Sequence, residues 1–335
     1  MSKIKVVLIG IGHDHAWPIY DSVLKQKDCF EVVGFAIPEC EESRFSGSIS
    51  RYLGVIPKMT VEEALNTKGL DAAIIETEEE NLTKYAIMAL RKGLNVHMDK
   101  PVSASLEEFC EMVKLAKEKK KALHLGYMYR YNPVLMKLFE DVKNGEFGDI
   151  YSVEAQMSCY HTAEKRAWMS KFPGGMMFYL GCHMIDLVYK LQGEPHEIIP
   201  LNSKSGIDGV DAFDFGMVAY KYKNGVSFVK TCAAEPGGFM RRQLVICGSK
   251  KTAVLCPIEV LDEGGLQHTD YSIVSAEDSV SKGWFFDADI ISSEKFNRYD
   301  DMMRNFSDVA SGEKQNEYSY DYELNLFRML IKSVS

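Results

Sequence analysis

Hydrophobic positions fall into two rhythms along the chain. Up to about residue 124, short apolar runs (KIKVVLIG, EVVGFAI, LDAAIIE, LNVHMD, ALHLGY) alternate with segments whose apolar residues recur at helical spacing, such as NLTKYAIMALRKG and SLEEFCEMVKLAKEKKK. Runs that are apolar almost throughout suit strands covered on both faces, and strands separated by helices build βαβ units and a parallel sheet. After about residue 125 the runs lengthen and follow one another: DIYSVEAQMSCY, AFDFGMVAYKY, VSFVKTCAAE and RRQLVICGS, with KNG and PGG as turn signals between them. That rhythm predicts an antiparallel sheet of α+β type. The expected fold class is α/β: a doubly wound parallel sheet over 1–124, then an α+β domain over 125–335 built on a large open, mainly antiparallel sheet. A length of 335 residues agrees with two cores rather than one.

Charge and cysteine usage narrow the partners. A net charge of -9 argues against a nucleic-acid or anionic-membrane surface, because polyphosphate partners call for clustered Lys and Arg. The eight cysteines form no CxxC pair, which points to reduced thiols and a cytoplasmic setting. The first apolar run, Val6 to Ile9, is of strand length and breaks at Gly10, so neither a signal peptide nor a membrane span is expected. Small-molecule chemistry is the remaining expectation.

The first turn carries the strongest local signal. LIGIGHDHAWPIY runs an apolar strand into Gly10, Ile11 and Gly12, as a dinucleotide-binding turn does, but His15 stands at the third glycine position and His13 and His15 flank Asp14. Further motifs follow: DKP at 99–101 after the strand LNVHM, GYMYRYNP at 126–133, and GGMMFYLGCHMIDL at 174–187. In wording, order and spacing these three resemble the signatures of the Gfo/Idh/MocA oxidoreductases. The resemblance implies an N-terminal Rossmann domain, a C-terminal domain with an open sheet, and a cleft holding NAD or NADP beside a sugar, polyol or similar substrate. It also implies a homodimer or homotetramer.

Oxidising a secondary alcohol by hydride transfer needs a base for the hydroxyl proton and a cation for the developing alkoxide. Lys100 and His183 suit these tasks. Lys100 follows a parallel strand, at the ligand-facing edge of such sheets, and Asp186 lies one helical turn beyond His183, able to orient its imidazole. By resemblance Lys100 corresponds to the lysine of the family's EKP motif and His183 to the histidine of its DxGxH pattern. Tyr179 stands where that pattern has aspartate; a tyrosine can relay a proton but supplies no standing negative charge. Arg130 and Trp168 line the substrate cleft by family position; an ion pair and a core aromatic are their structural alternatives.

The cofactor half departs further. A Rossmann second strand usually ends on an acid that binds the ribose hydroxyls, whereas this one has Ile37, with Glu39 two residues on. With no Arg or Lys adjoining, NAD is favoured over NADP. The segment ETEEENL keeps Thr77 of the family's ATPxxxH but has Glu78 in place of proline and Leu82 in place of histidine. Gly10, Ile11, Gly12, His13, His15, Ile37, Glu39, Thr77, Glu78, Asp99 and Lys100 are thus the expected cofactor-binding residues. Carboxylates among Glu76, Glu78, Glu79 and Glu80 would oppose a pyrophosphate unless they point to solvent at the helix start, the preferred expectation. His13 and His15 then supply hydrogen bonds in place of a glycine backbone. Two other readings stay open: donors to phosphate or ribose, or ligands, with one glutamate, of a divalent metal; the preferred assignment has no metal. The expected function is an NAD(P)-dependent oxidoreductase acting on a carbohydrate or polyol. The alternatives are a ligand-sensing relative with an eroded site, or an enzyme using tightly held NAD for transient oxidation in elimination or glycoside cleavage.

Overall fold

The structure, a computed structural model, describes residues 3–45, 52, 54–102, 105–285 and 288–335. It divides into two units, one of residues 1–128 and 299–324, the other of residues 129–298 and 325–335. Among the described residues no helix is long and apolar enough to cross a membrane, and all eight cysteines are free thiols.

The first unit is a parallel sheet of β1 (Ile4–Ile9), β2 (Phe30–Ala36), β3 (Lys58–Met59), β4 (Ala72–Ile75), β5 (Asn95–Met98) and β6 (Leu123–Leu125), in the order β3-β2-β1-β4-β5-β6. Its central strands are the runs without alternation, since every residue of β4 and β5 is buried. Among the described residues five α-helices intervene: α1 (Ala16–Lys25), α2 (Glu39–Glu42), α3 (Val61–Leu65), α4 (Leu82–Arg91) and α5 (Leu106–Lys119). Thr60 starts α3 by a capping box with Glu63, and Ser105 starts α5 by accepting from the Glu108 amide. The edge strand β3, whose Lys58 pairs with Phe35, is too short to carry a periodic signal, and the sequence reading lacks it.

Residues 299–324, which the sequence reading assigns to the second domain, belong to the first unit. The helix Asp300–Ser311 turns Met302, Met303 and Phe306 into the core, and Asp300 receives Ser22 Oγ at 2.7 Å and Lys25 Nζ at 2.6 Å from α1. Such a return is invisible to a linear reading because amphipathic periodicity does not say which sheet a helix covers.

The second unit is built on an eight-stranded sheet in the order β16-β15-β12-β11-β7-β10-β9-β8. The strands are β7 (Ile150–Ser158), β8 (Glu197–Pro200), β9 (Phe215–Tyr222), β10 (Gly225–Cys232), β11 (Gln243–Gly248), β12 (Lys251–Leu255), β15 (Asp270–Ser275) and β16 (Ile291–Ser292), while β13 (Val260–Leu261) and β14 (Gln267–His268) form a separate ribbon. Among the described residues every pairing in the large sheet is antiparallel except β7 with β10. Strand β9 alternates buried with half-exposed residues, as a sheet with one covered face should. The helix Gly181–Gln192 lies on β7 and β10 and buries Cys182, Met184, Ile185, Leu187 and Val188.

Candidate functional site

In the first unit the site grows from the end of β1. Register pairs Ile9 with Ile75, so the turn after β1 lies beside Glu76 and Thr77 at the end of β4. Gly10 has φ +87°, and a Cβ there would fall 2.5 Å from Thr77 Cγ2; only glycine fits the turn. Tyr20 of α1 donates its hydroxyl to Gly10 O at 2.6 Å and pins the turn from below.

His13 is held inside the turn by its hydrogen bonds. It is 3% exposed, donates Nε2–H to Lys100 O at 2.8 Å, and accepts the His15 amide at Nδ1 at 3.1 Å. Burial pushes its proton affinity down to about 4 despite the facing Asp99 charge. His15, at the start of α1, directs Nδ1 to Asp99 Oδ2 at 2.9 Å. Ligand atoms of His13, His15 and Asp99 lie within 4.8 Å of one another, a spacing that a metal ion could span. Such an ion would have to take the His13 lone pair that now holds the His15 amide, so the geometry favours the hydrogen-bonding role.

Asp99, Lys100 and Glu76 form a buried charge cluster at the ends of β4 and β5. Burial would raise the Asp99 carboxyl, but His13, His15 and Lys100 outweigh it and hold it well below the usual carboxylate range. Glu76 faces His13 Nδ1 at 3.5 Å and His97 Nε2 at 3.6 Å. Its burial and the Asp99 charge push its carboxyl well above the ordinary value. The expectation that most glutamates of the ETEEEN segment face solvent is thus overturned. Glu76 is fully buried and Glu79 is 5% exposed, because the segment continues β4 inward before turning into a short 3-10 helix. Glu78 is half-buried and paired with Arg44, which offsets the repulsion expected of it toward a pyrophosphate.

The carboxylate that does meet the turn is one the sequence reading missed. Glu41, on α2, is 0% exposed; its Oε2 accepts the amides of Ile11 at 2.9 Å and Gly12 at 3.1 Å, and its Oε1 accepts the Glu78 amide at 2.6 Å. Burial raises the Glu41 carboxyl, and the three amides oppose that rise. Beside α2 opens a hollow of about 760 Å³ whose lining includes Ile37, Glu39, Lys58, Lys84, Tyr85 and Met88. Ile37 thus stands at the end of β2 as expected and Glu39 at the rim. Lys58 and Lys84 correct the expectation that no cation adjoins this strand: β3 and α4 bring them in from distant sequence, removing the ground for preferring NAD over NADP.

The turn and hollow fit a dinucleotide. Amides at the end of the first strand converge on one carboxyl oxygen, an acceptor of the kind a phosphate offers, and the hollow has the volume of a nucleoside-sized site. Gly10, Ile11, Gly12, Thr77 and Glu78 surround the cradle.

In the second unit Arg130 and Asp186 form a bidentate ion pair, Nε to Oδ2 at 2.9 Å and Nη2 to Oδ1 at 2.8 Å, both side chains 1% exposed. Asn132 caps the helix Pro133–Lys143 by accepting the Val134 and Leu135 amides at 3.0 and 3.2 Å, and the RYNP motif thereby fixes the chain beside Arg130. His183 lies in the first turn of its helix with its ring edge-on to Tyr129 at 5.4 Å. Tyr129 donates to Glu259 at 2.7 Å, and Glu259 also pairs with Arg242 and Arg298. That buried network has no local sequence signal, since its members lie on separate elements. Tyr179 packs in an aromatic cluster, edge-on to Trp168 at 5.4 Å and stacked on Phe172 at 5.9 Å, with Lys165 Nζ 4.0 Å from the Trp168 centroid.

A Rossmann sheet with a glycine turn and a buried lysine after its fifth strand, joined to a large mainly antiparallel sheet, defines an oxidoreductase fold. The chain belongs to the Gfo/Idh/MocA family: residues 4–127 match its oxidoreductase, NAD-binding Rossmann model and residues 136–254 its C-terminal domain model. Among curated proteins it is similar to 1,5-anhydro-D-fructose reductase of Ensifer adhaerens, 23% identical over 50% of this chain and 51% of that protein. It is also similar to the scyllo-inositol 2-dehydrogenase (NADP(+)) IolW of Bacillus subtilis, 24% identical over 41% of this chain and 39% of that protein. The matches thus span about half or less of these relatives. The WlbA dehydrogenase of Chromobacterium violaceum, solved with NADH and UDP-GlcNAcA, shares the fold with a TM-score of 0.77 and 18% identity over 99% of this chain and 92% of that one.

Proposed function

We propose that this protein is an NAD(P)-linked oxidoreductase moving hydride between a nicotinamide and the hydroxyl-bearing carbon of a sugar, polyol or related compound. The observation that carries this reading is the anion cradle at the end of β1, where the Ile11 and Gly12 amides converge on one oxygen. The activities for which the reductase and inositol dehydrogenase relatives are named support the substrate class. Gly10, Ile11, Gly12, Thr77, Glu78, Ile37 and Glu39 would hold the dinucleotide, with His13 and His15 bracing the turn and Asp99. When bound, that group supplies the hydride acceptor or donor.

The chain's own residues supply the rest of the chemistry. Lys100, an ammonium 1% exposed, stabilises negative charge on the substrate oxygen more strongly than it could in water. His183 takes or returns the hydroxyl proton, and Tyr179 with Trp168 presents an aromatic wall to the substrate. Arg130 and Asp186 act as positioning residues. A cytoplasmic homodimer or homotetramer belongs to the same proposal.

Titrating NAD⁺ and NADP⁺ separately into the purified protein by calorimetry tests the reading. Saturable binding near one dinucleotide per chain is the expected result. No binding of either, by the parent and by a chain in which Glu41 is replaced, would overturn it.

A further inference from the structure

The oxygen held by the glycine turn belongs to the protein itself. In a Rossmann turn the second glycine lets the backbone approach the pyrophosphate. Here Gly12 has its amide on Glu41 Oε2, and a Cβ at Gly12 would lie 2.9 Å from Glu41 Oε1 and 2.5 Å from Glu78 Cγ. A phosphate oxygen bound by the Ile11 and Gly12 amides would have to occupy the point that Oε2 occupies. Carboxylate and phosphate are both anionic oxygen acceptors, so the same amides serve either but not both.

The segment carrying Glu41 is short and fastened on both sides of the turn. Helix α2 spans only Glu39–Glu42; Glu41 binds amides from the β1 turn and from Glu78, and Arg44 pairs with the Glu78 carboxylate. Glu42 pairs with Lys58 at the hollow. Each contact ties α2 to a wall that a dinucleotide would touch.

We propose that Glu41 is a built-in stand-in for the cofactor pyrophosphate: it closes the glycine turn, and a dinucleotide binds only by displacing it. The proposal rests on the reading of this turn as a dinucleotide site. It makes α2 an intramolecular competitor that sets cofactor affinity, and it assigns Glu41 no part in the chemistry of turnover.

The test is calorimetric titration of NAD⁺, NADP⁺ and inorganic pyrophosphate into the parent, Glu41→Ala and Glu41→Gln. Removing a charged acceptor of three amides should tighten dinucleotide binding by about ten-fold or more in Glu41→Ala. It should also give that variant a pyrophosphate affinity well above the parent's. Glu41→Gln, which keeps size but loses charge, should shift in the same direction by several-fold and carries the test if the alanine variant fails to fold. A variant that gains pyrophosphate binding but takes no dinucleotide would show that Glu41 occupies an anion site, yet overturn the dinucleotide reading and with it the stand-in role. Unchanged or weakened binding of all three probes in both variants would overturn the latch, leaving the dinucleotide reading intact wherever the parent binds NAD⁺ or NADP⁺.

Discussion

Replacing Lys100 with Met should lower turnover by about 100-fold or more while the dinucleotide still binds, the usual scale for losing a positioned electrostatic stabiliser. Methionine keeps most of the volume of the buried side chain, so the change is chiefly one of charge. The geometry limits what else moves. The Lys100 backbone makes its own contacts, its carbonyl accepting from His13 Nε2 at 2.8 Å and its amide donating to Asp99 Oδ1 at 2.6 Å, and neither depends on the ammonium. The loss should therefore fall on kcat more than on KM, since charge develops on the substrate oxygen only toward the transition state. Steady-state rates of reduced-nicotinamide formation, together with calorimetric cofactor affinity, check this. A variant with the parent's kcat would remove Lys100 from the chemistry.

Asp186→Ala should destabilise the second unit by about 3–5 kcal/mol, because it strands the Arg130 guanidinium in the interior without its bidentate partner. The paired side chains are each 1% exposed, so water cannot replace the lost acceptor without opening the fold. Replacing both partners, as in Arg130→Met with Asp186→Leu, should recover much of that loss, since two apolar groups need no partner. Urea unfolding of the parent, the single variant and the double variant, followed by tryptophan fluorescence, measures the difference. If the single variant were as stable as the parent, the ion pair would not hold this part of the unit.

Most of the fold was legible because its signals are local. Continuous apolar runs marked β1, β4 and β5, longer consecutive runs separated by turn signals marked strands of the large sheet, and the glycine turn marked the end of β1. The order β3-β2-β1-β4-β5-β6 is that of a doubly wound sheet, and it sets the His13–His15 turn beside Glu76. What escaped was non-local. Glu41 reads as one more acid in the exposed-looking string PECEES, and only the folded chain brings its carboxylate to the Ile11 and Gly12 amides. Lys58 and Lys84 reach the hollow from separate elements, and Asp300 carries a helix back to α1 from the far end of the sequence. The ETEEEN glutamates misled for a related reason: a run of acids suggests solvent, yet strand continuation turned Glu76 inward, where burial raises its carboxyl.

The two families of histidine contacts also separate by locality. His13 and His15 could be placed at the β1 turn from sequence, but their partners, Lys100 O and Asp99 Oδ2, come from the end of β5. Those partners hold both rings by hydrogen bonds to the end of β5. Asp186 likewise gives both carboxylate oxygens to Arg130, a partner that helical spacing around His183 does not suggest.

Hydride transfer itself is tested most directly with isotope. A set of polyols and sugars carrying deuterium on the hydroxyl-bearing carbons is incubated with the protein and NAD⁺ or NADP⁺, and the nicotinamide product is read by mass spectrometry. The account predicts deuterium on the nicotinamide ring with the parent and with Glu41→Ala, and labelling slower by about 100-fold or more with Lys100→Met. Saturable binding of dinucleotide and sugar with no label reaching the nicotinamide would contradict it and mark the chain as a ligand-binding relative without this chemistry.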